Sequence, residues 1–169
     1  MLKMIGLFLL ILTGIGGGAA ASAELNRRAA FLDAVCRLVG WLAVRIRYTA
    51  APVRELLAQA TENGEFTRLS FLPEAVHRLE EGDSPEEAWS ASLTSDGTTG
   101  LKESDREVLR DFGRELGRSD VEGQLAHCEA FRAILAEYAG RARAEAASKG
   151  KLYLTLGVAG GLCAALLLI

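Results

Sequence analysis

Apolar residues recur at every third or fourth position through the middle of the chain, which is the spacing of one buried helix face. The first apolar stripe comprises Leu25, Leu32, Val35, Val39, Leu42 and Ile46. It predicts a helix that ends before Pro52, because the residue preceding a proline disfavours helical backbone. No window alternates between apolar and polar residues with the period of a strand, so we predict no β-strands.

Turn and cap residues divide the next part of the chain into further helices. Pro52 suits the first turn of a second helix, and Asn63 with Gly64 predicts its end. A third helix, bent at Pro73, is predicted to stop at Gly82. These breaks leave only short connections between neighbouring helices.

The pattern Ser-x-x-Glu predicts capping boxes, in which the serine side chain and the glutamate each satisfy a free backbone N–H at a helix start. It occurs at residues 84–87, 104–107 and 119–122. The first box opens a short helix that buries Trp89, and the last opens a long final helix. Since the connections are short, the helices should pack as antiparallel neighbours. The predicted fold class is therefore all-α, an antiparallel helical bundle.

Both ends of the chain contain long stretches without a charged residue, at 4–23 and 152–169. About 20 apolar residues in a helix cross the hydrocarbon core of a bilayer, so both stretches predict transmembrane helices that flank the bundle. The predicted domains are an N-terminal transmembrane helix over 1–23, a helical bundle over 24–151 and a C-terminal transmembrane helix over 152–169.

Glycines are spaced four residues apart in both apolar stretches, as Gly14 and Gly18 and as Gly157 and Gly161. Small residues at this spacing let helices approach closely in lipid. They favour packing of the two spans on each other or on a neighbouring membrane protein. The alternative is that glycines tolerated in membrane helices fall at this spacing by chance.

Basic residues near the two apolar stretches predict the topology, because cytoplasmic segments carry an excess of Lys and Arg. Only Lys3 precedes the first stretch, whereas eight basic residues flank the inner ends: Arg27, Arg28, Arg37, Arg132, Arg141, Arg143, Lys149 and Lys151. This predicts a cytoplasmic middle. In the alternative, Ala21-Ser22-Ala23 before Glu24 is a signal-peptide cleavage site. The middle would then be an exported, membrane-anchored helical domain with a structural role between membranes.

Charge is unevenly distributed along the 169 residues, whose net charge is only −3. Residues 55–122 hold 17 acidic and seven basic residues, and therefore carry a net charge of −10. Candidate partner contacts in this segment are Glu80, Glu81 and Glu86, although such charges are often only a solvated face. The overall charge gives no nucleic-acid-binding footprint, and three cysteines exclude a disulfide scaffold.

Catalytic and ligand-binding patterns are lacking in the sequence. His77 and His127 lie in no cluster with metal-ligand spacing, so no metal is predicted. Gly113 and Gly117 follow no strand and lack the P-loop lysine, so no cofactor is predicted either. Side chains of adjacent residues diverge on a helix, which leaves a hydrolase using His127 or Cys128 the least favoured hypothesis.

Residues 112–124 carry the pattern Phe-Gly-x-x-Leu-Gly-x-Ser-Asp-x-x-x-Gln, which resembles the signature of the stage III sporulation protein AB family. The opening Met1-Leu-Lys-Met-Ile-Gly6 and the segment from Lys151 to Gly161 are similar to that family's ends. The resemblance implies a membrane protein of the mother cell, in the outer forespore membrane. It would belong to the channel complex that joins mother cell and forespore.

The same resemblance implies a soluble domain similar to the cytoplasmic F domain of type II secretion platform proteins. Its partners would be a companion sporulation ATPase and other membrane proteins of the channel, at a lipid bilayer. The residues themselves supply an acidic helical domain, which is compatible with docking onto a basic surface. On this reading the chain is a non-enzymatic adaptor.

The signature also predicts a tight corner between two helices. Phe112 and Leu116 lie on one helix face and should pack in the core, and Gly113 lies between them. Gly117 should take the left-handed conformation, with Ser119 as the next helix cap. The polar residues of the corner, Arg118, Asp120 and Gln124, could contact a partner directly.

Overall fold

The computed structural model describes residues 2–93, 98 and 100–167, with side chains described from residue 12 to residue 163 within these ranges. The described residues form six α-helices and no strand, which confirms the all-helical class. The helices are α1 (Leu2–Thr49), α2 (Val53–Glu62), α3 (Phe71–Glu81), α4 (Pro85–Ser92), α5 (Glu103–Arg114) and α6 (Val121–Leu167), with a 3-10 turn at Gly64–Phe66. Residues 94–97 and 99, between α4 and α5, lie outside the described residues.

Contacts divide the chain into two compact units. The bundle unit comprises residues 30–139, and the helix-pair unit comprises residues 1–29 and 140–169. Because α1 and α6 are each close to 50 residues long, both helices contribute to both units. The first helix is thus much longer than its apolar stripe predicts, since no helix-breaking proline separates that stripe from the apolar stretch before it.

A continuous series of aromatic rings runs through the core of the bundle unit, among many buried leucines. Phe71 packs edge-on against Trp89 at 5.0 Å between ring centroids, and Trp89 packs edge-on against Phe112 at 5.3 Å. Edge-to-face pairs of this kind add to the hydrophobic stabilisation of burial. The Trp89 indole N–H donates to the Leu109 carbonyl oxygen over 2.8 Å, which ties α4 to α5. The predicted burial of Trp89 is confirmed, because its side chain is fully buried.

Local signals explain where the short helices begin and end. Ser84 and Glu87 form the predicted capping box: the Glu87 backbone N–H donates to Ser84 Oγ over 3.3 Å, and the Ser84 N–H donates to Glu87 Oε2 over 3.0 Å. Gly82 has a φ of 109° and ends α3 as predicted. Pro73 lies in the first turn of α3, where its missing N–H would have no helical partner in any case.

The capping box predicted at residues 104–107 is wrong by two residues. Helix α5 begins at Glu103, and the Asp105 carboxylate accepts the Lys102 backbone N–H over 2.9 Å. Asp105 is fully buried, so this acceptor lies inside the fold instead of on the solvent side of the helix start. Burial of a short carboxylate that accepts a backbone N–H fixes the start of α5.

The helix-pair unit brings glycine backbones of α1 and α6 together. A Cβ atom at Gly14 would lie 2.6 Å from the Gly157 carbonyl oxygen and 3.2 Å from Gly161 Cα. A Cβ at Gly18 would lie 2.5 Å from the Tyr153 carbonyl oxygen. Real Cβ atoms do not approach so closely, so these glycines allow the two backbones to touch.

An ion pair joins the same two helices beyond the glycines. Arg28 Nη1 lies 2.8 Å from Glu145 Oε2, with side chains only 8% and 17% exposed.

Among the residues whose side chains are described, no helix carries an apolar stretch long enough to span a membrane. Side chains 4–11 and 164–169, which belong to the two predicted transmembrane stretches, lie outside those residues.

Candidate functional site at the corner between α5 and α6

The chain reverses direction between α5 and α6 over residues 115–120. The Leu116 N–H donates to the Gly113 carbonyl oxygen over 3.1 Å, and the Arg118 N–H donates to the Glu115 carbonyl oxygen over 3.3 Å. Gly117 between them has a φ of 79°, the left-handed conformation that its sequence context predicts. The structure places Leu116 in the core and Gly117 at the surface.

Gln124 holds this corner closed from inside. Its Oε1 accepts the Gly117 backbone N–H over 3.1 Å, and its Nε2 donates to the Glu115 carbonyl oxygen over 2.8 Å and to Ser119 Oγ over 2.9 Å. The side chain is 4% exposed. The expectation that Gln124 lies at the surface for a partner is therefore corrected: its amide satisfies the backbone groups that the turn leaves free.

Asp120, and not Ser119, caps α6. The Gly123 backbone N–H donates to Asp120 Oδ1 over 2.9 Å, and the Gln124 N–H donates to the Asp120 carbonyl oxygen over 2.9 Å. Ser119 Oγ instead accepts from Gln124. The predicted role of Ser119 as the helix cap is wrong, because α6 begins two residues after it, at Val121.

Aromatic packing anchors the corner to the core. The Phe112 ring stacks on the His127 ring at 5.1 Å between centroids and also packs edge-on against Trp89. A Cβ at Gly113 would overlap Trp89 Cδ1, so this glycine makes room for the indole. His127 Nε2 lies 2.9 Å from the Phe112 carbonyl oxygen, and this hydrogen bond also joins α6 to the end of α5.

Of the predicted partner contacts, the structure brings Arg118 and Glu86 together. Arg118 Nη1 lies 3.4 Å from Glu86 Oε2, and both side chains are largely exposed. Glu80 and Glu81 lie exposed at the end of α3, where Glu81 Oε1 is 3.6 Å from His77 Nε2. The corner and the start of α4 therefore share one polar surface, whereas the α3 carboxylates belong to another helix end.

A cleft of about 380 Å³ opens beside the corner, where it meets the junction between α1 and α2. Its lining includes Val53, Pro85 and Gly117 as apolar or small residues, with Arg54 and Asp120 as charged ones. Sequence reasoning missed this cleft, because its walls come from segments distant in the chain.

The backbone at the edge of this cleft is strained. Ala50, which also lines it, has a φ of 47°, a conformation that residues with a Cβ rarely adopt. The Ala50 N–H donates to the Ile46 carbonyl oxygen over 3.1 Å and so ends α1. Strain of this kind persists only where the surrounding structure imposes it, and the sequence signal that accompanies it is Pro52 two residues later.

The hydrolase hypothesis finds no support at Cys128. This thiol is fully buried, and burial raises its pKa to about 11, with a smaller contribution from the Glu129 carboxylate. The thiol therefore stays protonated at neutral pH, whereas a nucleophilic cysteine needs its thiolate. Within the described ranges, His, Cys, Asp and Glu side chains form no group that could hold a metal ion.

Comparison with protein-family models matches residues 3–169 to the family described as stage III sporulation protein AB. The match covers nearly the whole chain and confirms the resemblance found in residues 112–124. Comparisons with curated proteins and with solved structures find no match.

Proposed function

The chain belongs to the stage III sporulation protein AB family and is therefore a sporulation-related protein, and from this membership we propose that it is a non-enzymatic membrane adaptor of the channel between mother cell and forespore. Its bundle unit docks a secretion-type ATPase, the companion ATPase of the sporulation system. The proposed site of docking is the corner between α5 and α6 with its adjoining cleft.

The construction of the corner carries this proposal. Gln124 and the left-handed Gly117 fix the backbone. The exposed Arg118 side chain is paired with Glu86, and the Asp120 carboxylate accepts a backbone N–H at the start of α6. A surface whose groups are already ordered loses less conformational entropy on binding, which favours specific docking. The cleft beside it is large enough to take an apolar side chain of a partner.

Electrostatics supports a basic partner. The segment from 55 to 122 carries a net charge of −10, and Arg118 is paired with Glu86. Glu80 and Glu81 add two exposed carboxylates at the end of α3. Complementary charge mainly speeds association and selects partners, and it is screened by salt. Binding of the ATPase should therefore weaken as ionic strength rises.

The proposed location is the outer forespore membrane on the mother-cell side, with the bundle unit in the cytoplasm. The uncharged stretches at 4–23 and 152–169 and the eight basic residues flanking their inner ends support this location. The packing of Gly14 and Gly18 against α6 is of the kind that helices use in lipid. We also propose that the bundle is similar to a type II secretion F domain and contacts other membrane proteins of the channel.

Co-purification of the full-length protein with the companion ATPase from co-expressing cells tests the docking. Charge exchange at the corner by Arg118→Glu with Glu86→Arg should reduce recovered ATPase several-fold, while it keeps the net charge, the ion pair and the Asp120 cap of α6. The control is Glu24→Lys with Arg27→Glu, an exposed pair outside the acidic segment, which should have no effect. Equal recovery with the corner variant and the control, or no recovery with the unmodified chain, would remove the docking claim.

The exported alternative is tested separately by mass spectrometry of the N-terminus of the mature protein. A start at Glu24 would support export, whereas an intact N-terminus agrees with a cytoplasmic middle. In the structure α1 runs unbroken through residues 21–24. A reporter enzyme that works only in the cytoplasm should then be active when it is inserted near Thr98. Activity there of a reporter that works only after export would exclude contact with a cytoplasmic ATPase.

A further inference from the structure

A second groove, distinct from the corner cleft, lies between α1 and α6 in the bundle unit. Its volume is about 490 Å³, and we call it the Trp41 groove. Trp41 and Val44 line one side, Arg132 of α6 lines the other, and Gly40 lies between them. The proposed function makes no use of this surface.

Large apolar side chains on this part of α1 are exposed to an unusual degree. Val44 is 55% exposed and Tyr48, one turn further along, is 81% exposed. Trp41 is half-buried, with its ring edge-on to Phe66 at 5.9 Å between centroids. The Arg45 guanidinium lies 5.1 Å from the Trp41 ring centroid. Trp, Tyr and Arg are the residue types that contribute most to binding at protein interfaces.

Gly40 keeps the groove open, although the packing of the fold does not require a glycine there. A Cβ at this position would meet the Arg132 side chain at 3.6 to 3.9 Å, which is ordinary van der Waals contact. A glycine inside a helix is nonetheless less stable than an alanine by about 1 kcal/mol. Stability alone therefore favours alanine, and the glycine preserves space between the walls of the groove.

Three guanidinium groups at the groove, those of Arg37 and Arg132 in its lining and that of Arg45 over the Trp41 ring, exceed its two carboxylates by one positive charge. Of its two carboxylates, Glu65 is paired with Arg37 at 3.0 Å, and Asp33 is half-buried and engaged in a further interaction. Arg132, which lines the groove, and Arg45, over the Trp41 ring, form no ion pair with a carboxylate in the described part of the chain. Two guanidinium groups beside a half-buried indole favour an anionic occupant that also carries apolar surface.

We propose that the Trp41 groove binds an acidic segment of a partner protein, which places an apolar side chain against Trp41 between Arg45 and Arg132. This partner differs from the basic surface proposed to dock at the corner, because that proposal depends on the acidic segment from 55 to 122 and this one on Arg45 and Arg132. The chain would thus connect two partners through two separate surfaces.

Fluorescence of Trp41 provides a direct test on the full chain in micelles of a nonionic detergent. Trp89 is fully buried, so a soluble quencher such as acrylamide reports mainly on Trp41. The probe is a short helical peptide of leucine and glutamate, and its control has glutamine in place of glutamate. The acidic peptide should protect Trp41 from quenching, the glutamine peptide should protect it much less, and Trp41→Phe should abolish the signal.

Matched variants separate binding from stability. Gly40→Ala and Gly140→Ala should both raise the unfolding midpoint, because a Cβ at Gly140 has nothing within 4 Å. Only Gly40→Ala should weaken peptide binding, since its Cβ fills part of the groove. Arg132→Gln should weaken binding up to about fivefold, the size of one exposed ion pair. Arg54→Gln, which removes a cation from the corner cleft, should leave it unchanged.

Three results would overturn the proposal. The first is equal quenching of Trp41 with and without the acidic peptide. The second is protection without peptide that grows with protein concentration, which would make a second copy of the chain the occupant. The third is protection by phosphatidylglycerol vesicles but not by the peptide, which would assign the groove to a lipid surface. Each outcome leaves the ATPase test at the corner unaffected.

Discussion

The bundle unit and the helix-pair unit use glycine in opposite ways. In the bundle unit, Gly113 leaves space that the Trp89 indole fills, so the missing side chain on α5 increases the contact made by α4. In the helix-pair unit, Gly14 and Gly157 leave space that backbone fills, and a Cβ at either would collide with the carbonyl oxygen of the other. The first arrangement gains buried apolar area, and the second gains close approach of two helices.

This difference indicates where each unit obtains its stability. The bundle unit buries a connected series of rings, which is favourable because it removes apolar surface from water. Contact between glycine backbones buries little apolar area and relies on van der Waals packing, the main source of helix association in lipid. Substitutions that enlarge or remove single side chains should therefore affect the two units differently.

The largest effect is expected for Trp89→Ala. It removes a fully buried indole, its contacts with Phe71 and Phe112, and its hydrogen bond to the Leu109 carbonyl oxygen. Loss of such a side chain lowers the free energy of unfolding by about 3–5 kcal/mol. Urea denaturation of the full chain followed by circular dichroism measures it. For the control Trp41→Ala the free energy of unfolding should fall by only about 1–2 kcal/mol, because this side chain is half-buried. Equal losses for the two variants would contradict the stabilising role of the buried ring series.

A smaller loss is expected for Gly113→Ala. Its Cβ would overlap the Trp89 ring, which is fully buried and hydrogen-bonded and so has little freedom to move. Overpacking of this kind costs about 1–3 kcal/mol. The same substitution at Gly140, where a Cβ meets open space, should instead raise stability by about 0.5–1 kcal/mol. Opposite signs in the same denaturation assay would distinguish a Cβ that meets the Trp89 ring from one that meets open space. A gain in stability at both positions would show that the Trp89 indole can move aside.

Local signals in the sequence predicted much of the bundle unit. The Ser84 capping box, the helix end at Gly82 and the left-handed Gly117 were all predictable, because each depends on residues within one turn. The buried position of Trp89 followed from its place after that box. The all-helical class followed from apolar spacing over many residues.

Features that depend on contacts beyond one helical turn were not predictable. The choice of Asp120 over Ser119 as the α6 cap depends on Gln124, which occupies the Ser119 hydroxyl. The ion pair between Arg118 and Glu86 joins residues 32 apart in sequence. The corner cleft also needs Ala50, at the end of α1, to lie near Gly117, and no local pattern specifies that proximity.

Disulfide formation measures the pairing of α1 with α6 in the helix-pair unit. A Cβ at residue 150 would lie 3.8 Å from Ser22 Cβ, a separation typical of disulfides. With the three native cysteines replaced, Ser22→Cys with Gly150→Cys should cross-link readily on mild oxidation, as seen by mass spectrometry. Ser22→Cys with Ser148→Cys should not, because two residues along a helix point about 200° apart. Similar yields from both pairs would exclude the helix register seen here.

The same cross-link tests the glycine contact. Gly14→Val should slow its formation several-fold, because the added Cβ would lie 2.6 Å from the Gly157 carbonyl oxygen and must push the helices apart. Gly16→Val changes the helix propensity by the same amount, but a Cβ at residue 16 meets nothing within 4 Å. The rate of cross-linking should therefore be unchanged. Equal rates for the two variants would remove the close-approach interpretation.

The smallest effect is expected at the Ser84 cap, through pH. The Ser84 hydroxyl and then its backbone N–H hold the pKa of Glu87 below its ordinary value of 4.5. The lowered pKa means that the cap contributes stability above 4.5 and loses it as pH falls through the pKa in the folded protein. Glu87→Gln should therefore lower the urea midpoint at neutral pH and have little effect in strong acid.

The control for this last variant is Glu86→Gln, which removes the neighbouring carboxylate from the first turn of α4 without removing a capping hydrogen bond. It also breaks the exposed pair with Arg118, which contributes little because solvent screens it. Both substitutions weaken the favourable interaction of negative charge with the helix dipole. Only Glu87→Gln also replaces the charged acceptor of two hydrogen bonds from Ser84. A larger loss at neutral pH for Glu87→Gln than for Glu86→Gln isolates the cap, whereas equal losses would assign the whole effect to the dipole.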